Sequence, residues 1–192
     1  SRRKKQLNHQ TLEEMIHDLP NACDVGRKRN VMGYTTSWKG YKLHLAVDDH
    51  CVPLAAILTS ASLNDSEAAI PLGEKAKNVT SLYDLMDSAY DDPEIKKHSI
   101  SLGHVPIIDE HARSIKQKAE KKAEKNRKRL LNFTTAEDRR YRLRFSKERG
   151  NALLKEYYGC KNIQVKGHTK VFCHIMFGIL ALTASTIINS FI

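Results

Sequence analysis

The chain has 192 residues, of which 41% are hydrophobic and 28% are charged. These values are those of a globular domain with a single core, and they exclude a disordered chain. Lys and Arg number 32 against 22 Asp and Glu, which gives a net charge of +10 and favours polyanions, nucleic acid before acidic membrane. Four scattered cysteines without a C-x-x-C pair indicate reduced thiols, so we expect a cytoplasmic location.

The first predicted elements are strands. Residues 40–49 alternate apolar and polar side chains, which is the period of a half-buried strand. Residues 52–61 are its predicted hairpin partner, after a turn at DDHC. Residues 21–30 fit either the end of a strand or a loop, and the residues alone leave both open.

Helices and strands then alternate along the chain. Residues 64–78 predict a helix capped near Asn64, although Pro71 makes a single unbroken helix doubtful. Three further elements follow: a short apolar strand from residue 81, a helix with Pro93 in its first turn, and a strand over 104–109. This order predicts an α/β protein with a mixed sheet covered by helices.

The second half of the chain is richer in charge. Residues 113–130 carry nine Lys or Arg against two Glu, which fits either a solvated helical surface or an element that follows DNA phosphates. A single long helix is predicted next, from a cap at Thr135 to a stop at Gly159, with Gly150 as its weak point. Residues 175–192 carry no charge, and their length and polarity favour a core-covering helix over a membrane span.

The stretch YRLRFSKERGNALLK, residues 141–155, contains the candidate chemistry. On one continuous helix, Tyr141, Arg144, Glu148 and Lys155 would share a stripe about 60° wide. One carboxylate, two cations and a phenol would then face the same ligand. A solvated helix with i,i+4 charge pairs gives part of the same pattern, so periodicity alone leaves both interpretations open.

A lone glutamate does not make a metal site, because hard divalent cations are bound by several oxygen ligands. Phosphodiester chemistry with two ions about 3.5 to 4 Å apart therefore needs further carboxylates. Candidate aspartates follow the predicted strands, and their spacing does not choose among them: Asp24, Asp48, Asp49, Asp84, Asp87, Asp91, Asp92 and Asp109.

Six ordered segments together resemble the DDE transposases of bacterial insertion sequences, in the group with the Y-(2)-R-(3)-E-(6)-K signature. Tyr141, Arg144, Glu148 and Lys155 match this signature at every interval. The other segments resemble those of the family in the same order: GYKLHLAVDD, LTSASLNDSEAAIPL, LYDLMDSAYDDPEI, LGHVPIID and VKGHTKVFCHIMFGILAL. The likeness covers roughly residues 22–185.

The resemblance implies a ribonuclease-H-like α/β fold, with a mixed β-sheet flanked by helices and a basic helical insert before the last catalytic helix. It also implies two aspartates on adjacent strands and a glutamate on a later helix. These are Asp24, Asp87 and Glu148, which together would bind two Mg²⁺ (or Mn²⁺) ions. Many members have a small residue and Thr after the first aspartate, whereas Val25 and Gly26 follow Asp24, so the alternative for Asp24 is a turn acid.

The resemblance further implies that the protein contacts DNA. Arg144 and Lys155 would bind phosphates near the scissile bond, and Tyr141 would hydrogen-bond, stack or simply pack nearby. The insert would follow DNA with a set of cations, namely Lys121, Lys122, Lys125, Arg127 and Lys128. The expected partners are the terminal inverted repeats, target DNA and further protomers, because two DNA ends must be joined. We expect no membrane partner.

The function implied is that of a transposase, which cuts DNA to free a 3′-OH and joins that end to target DNA in the cytoplasm, on the nucleoid. We expect residues 1–20 to form a basic remnant or linker and residues 21–192 the catalytic domain, with the insert at about 111–134. Two alternatives remain open: a truncated remnant that only binds DNA, and a stand-alone metal-dependent nuclease.

Overall fold

The computed structural model describes residues 1–30, 32–79, 81–110 and 114–190. The chain folds as two compact units, Ser1–Thr80 with Phe145–Ile192, and Ser81–Arg144. The strands described form a three-stranded sheet in the first unit and a two-stranded sheet in the second.

The sheet of the first unit is antiparallel and contains β1 (Asp24–Arg29), β2 (Thr35–Val47) and β3 (Pro53–Ser60). Its long middle strand β2 pairs with β1 through residues 35–40 and with β3 through residues 41–47. The predicted hairpin of β2 and β3 is thus confirmed. β2 begins five residues before the predicted strand because a turn at Gly33 (φ 89°) returns the chain against β1.

Three helices cover one part of this sheet: α1 (Arg2–His9), α2 (Leu12–His17) and α3 (Ala69–Ala76). Both α1 and α2 pack on α3, which in turn packs on β2 and β3. The α1 side chain of Gln6 is buried and donates to the carbonyl of Glu67 at 3.1 Å. Residues 1–20 therefore contain two short helices and contribute buried side chains to the first unit.

Pro71 does not interrupt a helix. The predicted helix over 64–78 divides into a 3-10 helix, Asp65–Ala68, capped by Asn64, and the α-helix α3. Pro71 lies in the first turn of α3, where a backbone N–H has no intrahelical partner to lose. The expectation that residues 64–78 do not form one unbroken helix is confirmed. Pro71 is accommodated because it lies in the first turn of α3.

Two later helices complete the core of the first unit, α7 (Phe145–Glu156) on β2 and α8 (His168–Ser190) on β3. Their buried side chains meet those of the sheet in one cluster of Leu45, Ala56, Leu58, Leu154, Val171, Ile175, Ile179 and Leu182. The prediction that the apolar C-terminal helix covers the core is confirmed. It starts at His168, seven residues before the predicted start, and the His168 imidazole Nε2–H donates to the carbonyl of Leu58 at 2.8 Å.

The predicted end of this helix at residue 192 lies outside the described residues. Among those that are described, one helix, His168–Asn189, is long and apolar enough to cross a membrane by length and composition. The buried side chains of the same segment pack on β3, while other large apolar side chains, among them Phe177 and Leu180, are exposed.

The second unit contains a parallel pair of strands, β4 (Tyr83–Met86) and β5 (Val105–Ile108), joined through α4 (Pro93–Ser101). Asp92 caps α4 by accepting a hydrogen bond from the N–H of Glu94 at 3.0 Å, and Pro93 occupies the first turn. Gly103 follows the helix with φ 81°, a conformation that favours glycine. The helix and both strands predicted for this region are confirmed.

Two charged helices follow in the second unit, α5 (Ile115–Leu130) and α6 (Ala136–Arg142). Ser114 with Gln117, and Thr135 with Asp138, form capping boxes at their starts. The cap predicted at Thr135 is confirmed. The first residues of the predicted insert, 111–113, lie outside the described residues.

The single long helix predicted after Thr135 is wrong. α6 ends at Arg142 and α7 begins at Phe145, because the N–H groups of Leu143 and Arg144 donate to carbonyls three residues back and tighten the last turn. The four signature residues therefore do not share a stripe on one helix. Glu148 and Lys155 lie on α7, Tyr141 lies on α6, and Arg144 lies after α6 ends.

The architecture is thus a mixed α/β fold with antiparallel and parallel strands and helices packed on them. This confirms the predicted α/β class, while the described strands form two separate sheets, one antiparallel and one parallel, and not the single mixed sheet predicted. The particular ribonuclease-H-like strand arrangement stays a prediction.

Candidate active site

Two aspartates lie at the carboxyl-terminal end of the parallel sheet. Met86 pairs with Ile108 at the carboxyl ends of β4 and β5, so Asp87 and Asp109 leave adjacent strands at the same level. Neighbouring strands lie about 4.8 Å apart, which places these two residues side by side. Asp87 also caps the 3-10 helix Ser88–Tyr90, since its Oδ1 accepts the N–H of Ala89 at 3.0 Å.

Tyr141 lies within electrostatic reach of both acids. Burial raises the pKa of its phenol, and the negative charges of Asp109 and Asp87 raise it further, against the opposing effect of Arg144 and Lys121. The Arg144 guanidinium lies 5.2 Å from the centre of the Tyr141 ring, in a cation–π contact. Two residues of the signature thus lie in the neighbourhood of Asp87.

A lysine of the basic insert contacts an acid at the same end of the parallel sheet. Lys121 of α5 forms an ion pair with Asp109 at 2.8 Å and also donates to the carbonyl of Glu110. Sequence spacing did not choose Asp109 among the candidate acids, and its proximity to Asp87 becomes visible only from the pairing of β4 with β5.

The other cations of the predicted DNA-binding set follow along α5. Lys122, Lys125 and Arg127 are exposed, and Arg127 pairs with Glu124 at 3.3 Å. Lys128 is half-buried and donates to Asp138 of α6 at 2.9 Å. This bond from Lys128, with that from Thr135, lowers the pKa of Asp138 to about 2.

Glu148 and Lys155 lie seven residues apart on α7 and therefore share a face of that helix. Both are exposed. The α7 start is fixed to the end of β2, since the Ser146 hydroxyl donates to the carbonyl of Asp49 at 2.9 Å. Gly150, predicted as a weak point, is buried against Val47, where an added Cβ would stand 3.6 Å from Cγ1.

Asp24 is the first residue of β1 and pairs with Gly40 of β2. Its two carboxylate oxygens accept hydrogen bonds from Ser62, one from the N–H at 3.0 Å and one from the hydroxyl. The hydroxyl bond, with smaller effects from the backbone, lowers the pKa of Asp24. Such contacts are typical of an aspartate that stabilises a turn, here the turn at Ser62.

Asp24 and the α7 start are attached to different ends of the same strand. Asp24 pairs with Gly40, whereas α7 contacts Val47, seven residues further along β2. At the rise of a β-strand Gly40 and Val47 are about 23 Å apart, while Lys147 in the first turn of α7 lies close enough to His44 of β2 to act on its charge.

One group of three close metal-ligand atoms occurs among the described residues, at Asp48, Asp49 and His50 in the turn between β2 and β3. Asp48 accepts the N–H of His50 at 2.9 Å and that of Val52 at 2.7 Å, while His50 contacts Asp49 at 2.8 Å. Hydrogen bonds of the turn therefore explain why these groups are close. The sequence analysis included Asp48 and Asp49 among the candidate metal ligands but missed His50. The only sequence signal for His50 was its position directly after the two aspartates.

Strand-end acids thus lie beside a helix rich in Lys and Arg, and such a basic surface is typical of proteins that bind nucleic acid. The family model for the transposase DDE domain matches residues 22–184, and the chain belongs to this family. The match confirms the resemblance that the ordered segments and the four-residue signature indicated. No curated protein and no solved structure is significantly similar to the chain.

Proposed function

We propose that the chain catalyses metal-dependent cleavage and strand transfer of DNA for an insertion sequence. The observation that carries this proposal is the family match over residues 22–184. It is supported by the position of Asp87 at the end of a parallel strand, beside Asp109 and within electrostatic reach of Tyr141.

The proposed metal ligands are Asp87, Glu148 and Asp24. Carboxylate oxygens are the donors that Mg²⁺ and Mn²⁺ prefer, so the residue types fit the ion. Asp24 can still bind a metal ion although Ser62 donates hydrogen bonds to both of its carboxylate oxygens. Each oxygen has two lone pairs, and each accepts one described hydrogen bond from Ser62. Two bound ions would supply charge stabilisation for the attacking and leaving oxygens.

The cations and the phenol have separate proposed roles. Arg144 and Lys155 bind phosphates near the scissile bond, where they hold the strand without selecting its sequence. Tyr141 keeps its proton at neutral pH, as a phenol ordinarily does, and its raised pKa favours that form further, so it acts as a hydrogen-bond donor to DNA. The exposed cations of α5 extend the contact along the duplex.

The proposed partners are the terminal inverted repeats and target DNA, bound by more than one protomer since two ends are joined. We propose that this takes place in the cytoplasm, on the nucleoid. Residues 1–20 are proposed as a basic remnant or linker and residues 21–192 as the catalytic domain.

One observation favours the second candidate function, a remnant that binds DNA without cutting it. The contacts of Asp24 hold a turn, and its attachment to β2 lies far along the strand from that of α7. In such a remnant the basic α5 keeps its affinity for DNA while the three acids do not share metal ions. A stand-alone nuclease is the third candidate.

Catalysis is tested by incubating the chain with Mg²⁺ and DNA that carries the element ends. Asp87→Asn and Glu148→Gln should each abolish nicking and joining, because each removes a charged ligand. Glu156→Gln is the matched control on α7, since Glu156 is exposed and pairs only weakly with Lys161 at 3.3 Å. It should leave both steps unchanged.

The variant Asp24→Asn tests whether Asp24 is a metal ligand or only stabilises a turn. Loss of cleavage with an unchanged melting temperature supports the metal ligand. Full cleavage identifies the turn acid. DNA binding without cleavage by any form, wild type included, contradicts the catalytic proposal, and cleavage without joining favours the nuclease.

A further inference from the structure

The pairing of β1 with β2 continues beyond β3 as two strands alone, residues 27–29 against residues 35–37, which we term the basic ribbon. Arg27 lies opposite Ser37 in it. β3 pairs with residues 41–47 of β2, so the ribbon has no third strand among the residues that the structure describes. All six residues of the ribbon are exposed. The ribbon is therefore a two-stranded extension of the sheet with its side chains in solvent.

Hydrogen bonds close the far end of the basic ribbon. The Asn30 N–H donates to the carbonyl of Tyr34 at 2.9 Å, and the Asn30 Oδ1 accepts from the N–H of Tyr34 at 2.9 Å. The Arg29 Nε–H donates to the carbonyl of Gly33 at 3.1 Å. These bonds fix the register of the two strands up to the turn that joins them.

Side chains alternate between two faces along the paired strands. One face, the inner face, includes the pair of Gly26 and Trp38. A Cβ added to Gly26 would stand 2.7 Å from the carbonyl oxygen of Ala61, so the inner face contacts the rest of the first unit there. The opposite face, the outer face, consists of six exposed residues: Val25, Arg27, Arg29, Thr35, Ser37 and Lys39.

The outer face combines positive charge with an absence of nearby acids in the sequence. Residues 25–47 contain five Lys or Arg and neither Asp nor Glu. Of these five, Lys42 alone has an ion pair among the described residues, with Asp65 at 3.1 Å. The three cations of the outer face are therefore available to an anionic partner.

Duplex DNA matches the outer face in charge, width and hydrogen-bonding groups. Its major groove, about 12 Å wide and about 8.5 Å deep, admits two strands that lie about 4.8 Å apart, whereas the minor groove is only about 6 Å wide. From Val25 to Arg29 the outer face is about 13 Å long, which corresponds to roughly four base pairs. Arg donates to guanine in this groove, and Ser and Thr bond with several base edges.

We propose that the basic ribbon lies in the major groove of duplex DNA with its outer face towards the base edges. Arg27 and Arg29 donate to guanines, Thr35 and Ser37 bond with neighbouring bases, and Lys39 binds a phosphate at the rim of the groove. This inference rests on the proposed function for its partner, DNA. It requires neither a metal ion nor cleavage, and it gives β1 and β2 a role in selecting the DNA sequence.

The test compares two DNA duplexes of one sequence, the second with glucosylated 5-hydroxymethylcytosine in place of every cytosine. The glucose fills the major groove and leaves the phosphates unchanged. Fluorescence anisotropy measures binding of the full chain in EDTA, which prevents cleavage. Wild type should bind the modified duplex roughly tenfold more weakly, because contacts to base edges are lost. Arg27→Gln with Arg29→Gln should bind the two duplexes equally.

Lys28→Gln is the matched control, because Lys28 is exposed on the inner face of the same strand. It removes one positive charge, as Arg27→Gln does, and should keep the full preference for the unmodified duplex. Arg27→Gln should lower that preference to roughly threefold, half of the free-energy difference. This single variant also leaves the Arg29 bond to Gly33 in place, so it tests the ribbon without altering the turn. Melting temperatures check the fold of each variant.

Three results would overturn the inference. Equal binding of the two duplexes by wild type would place the protein outside the major groove. A full preference in the folded double variant would assign the groove to another element. An equal loss of preference in Lys28→Gln and Arg27→Gln would show that charge alone acts. Loss of cleavage in Asp87→Asn with the preference intact concerns the catalytic proposal alone, whereas absence of DNA binding contradicts both.

Discussion

His44 is a buried histidine whose environment favours its neutral form. Its side chain is 4% exposed and its Nε2 lies 2.9 Å from the Thr59 hydroxyl. Burial lowers the pKa of His44 to about 4, and the charges of Lys42 and Lys147 lower it too, against the opposing effect of Asp65. Because the charge of Lys147 acts on His44, the first turn of α7 lies close to β2.

Stability should therefore fall when the pH is lowered from 6.5 to 4. In this window the unfolded chain binds a proton at His44 and the folded chain does not, so protonation draws the equilibrium towards unfolding. The full stability is present above about pH 6.5, and the loss reaches roughly 3 kcal/mol near pH 4 as an upper estimate. Urea denaturation at several pH values measures it.

His44→Gln should remove most of this dependence between pH 6.5 and 4. His50→Gln is the matched control, because the His50 side chain is 74% exposed in a turn, and it should keep the wild-type dependence. An unchanged fall in the His44 variant would show that other groups cause it.

Residues that meet across long distances in sequence were the hardest to predict. The aspartates at strand ends were visible as a set, but the choice of Asp109 as the neighbour of Asp87 depends on the register of β4 and β5. The bonds between Asp24 and Ser62 span 38 residues and have no local signal. The family resemblance named Asp87 and Glu148, and their role stays a prediction.

At the scale of elements, local patterns predicted most of the fold. Alternation predicted the hairpin of β2 and β3, Pro93 predicted the start of α4, and the cap residue Thr135 predicted the start of α6. The break between α6 and α7 was missed, because neither Gly nor Pro marks residues 142–145. There the chain exchanges i→i−4 bonds for i→i−3 bonds, a choice that depends on packing rather than on propensity.

α8 offers a matched test of its buried stripe. Leu182 is 1% exposed within the core cluster, whereas Leu180 on the same helix is 60% exposed. Leu182→Ala should lower the free energy of unfolding by about 2 to 5 kcal/mol, through lost burial and the cavity left behind. Leu180→Ala should change it by about 0.5 kcal/mol or less. Equal losses in chemical denaturation would contradict the packing of α8 on β3.

At the scale of the whole molecule, the charge of +10 predicts DNA binding that weakens steeply with salt. Lys122→Ala with Lys125→Ala should reduce the slope of log affinity against log salt by up to about two, since each phosphate contact contributes about 0.9. Lys4→Ala with Lys5→Ala removes the same charge from α1, where both side chains are exposed. This control should keep the slope in fluorescence-anisotropy titrations. Equal changes in both would show that net charge alone governs binding.

The divided pairing of β2 has a consequence for amide hydrogen exchange. Along a strand, successive N–H groups point to opposite edges, and β2 has β1 on one edge through residues 35–40 and β3 on the other through residues 41–47. Slowly exchanging amides should therefore occur at every second residue, and the set of protected positions should switch parity near Gly40. β1 can then open transiently without breaking a hydrogen bond between β2 and β3, so the two halves of one strand should exchange with different free energies of opening.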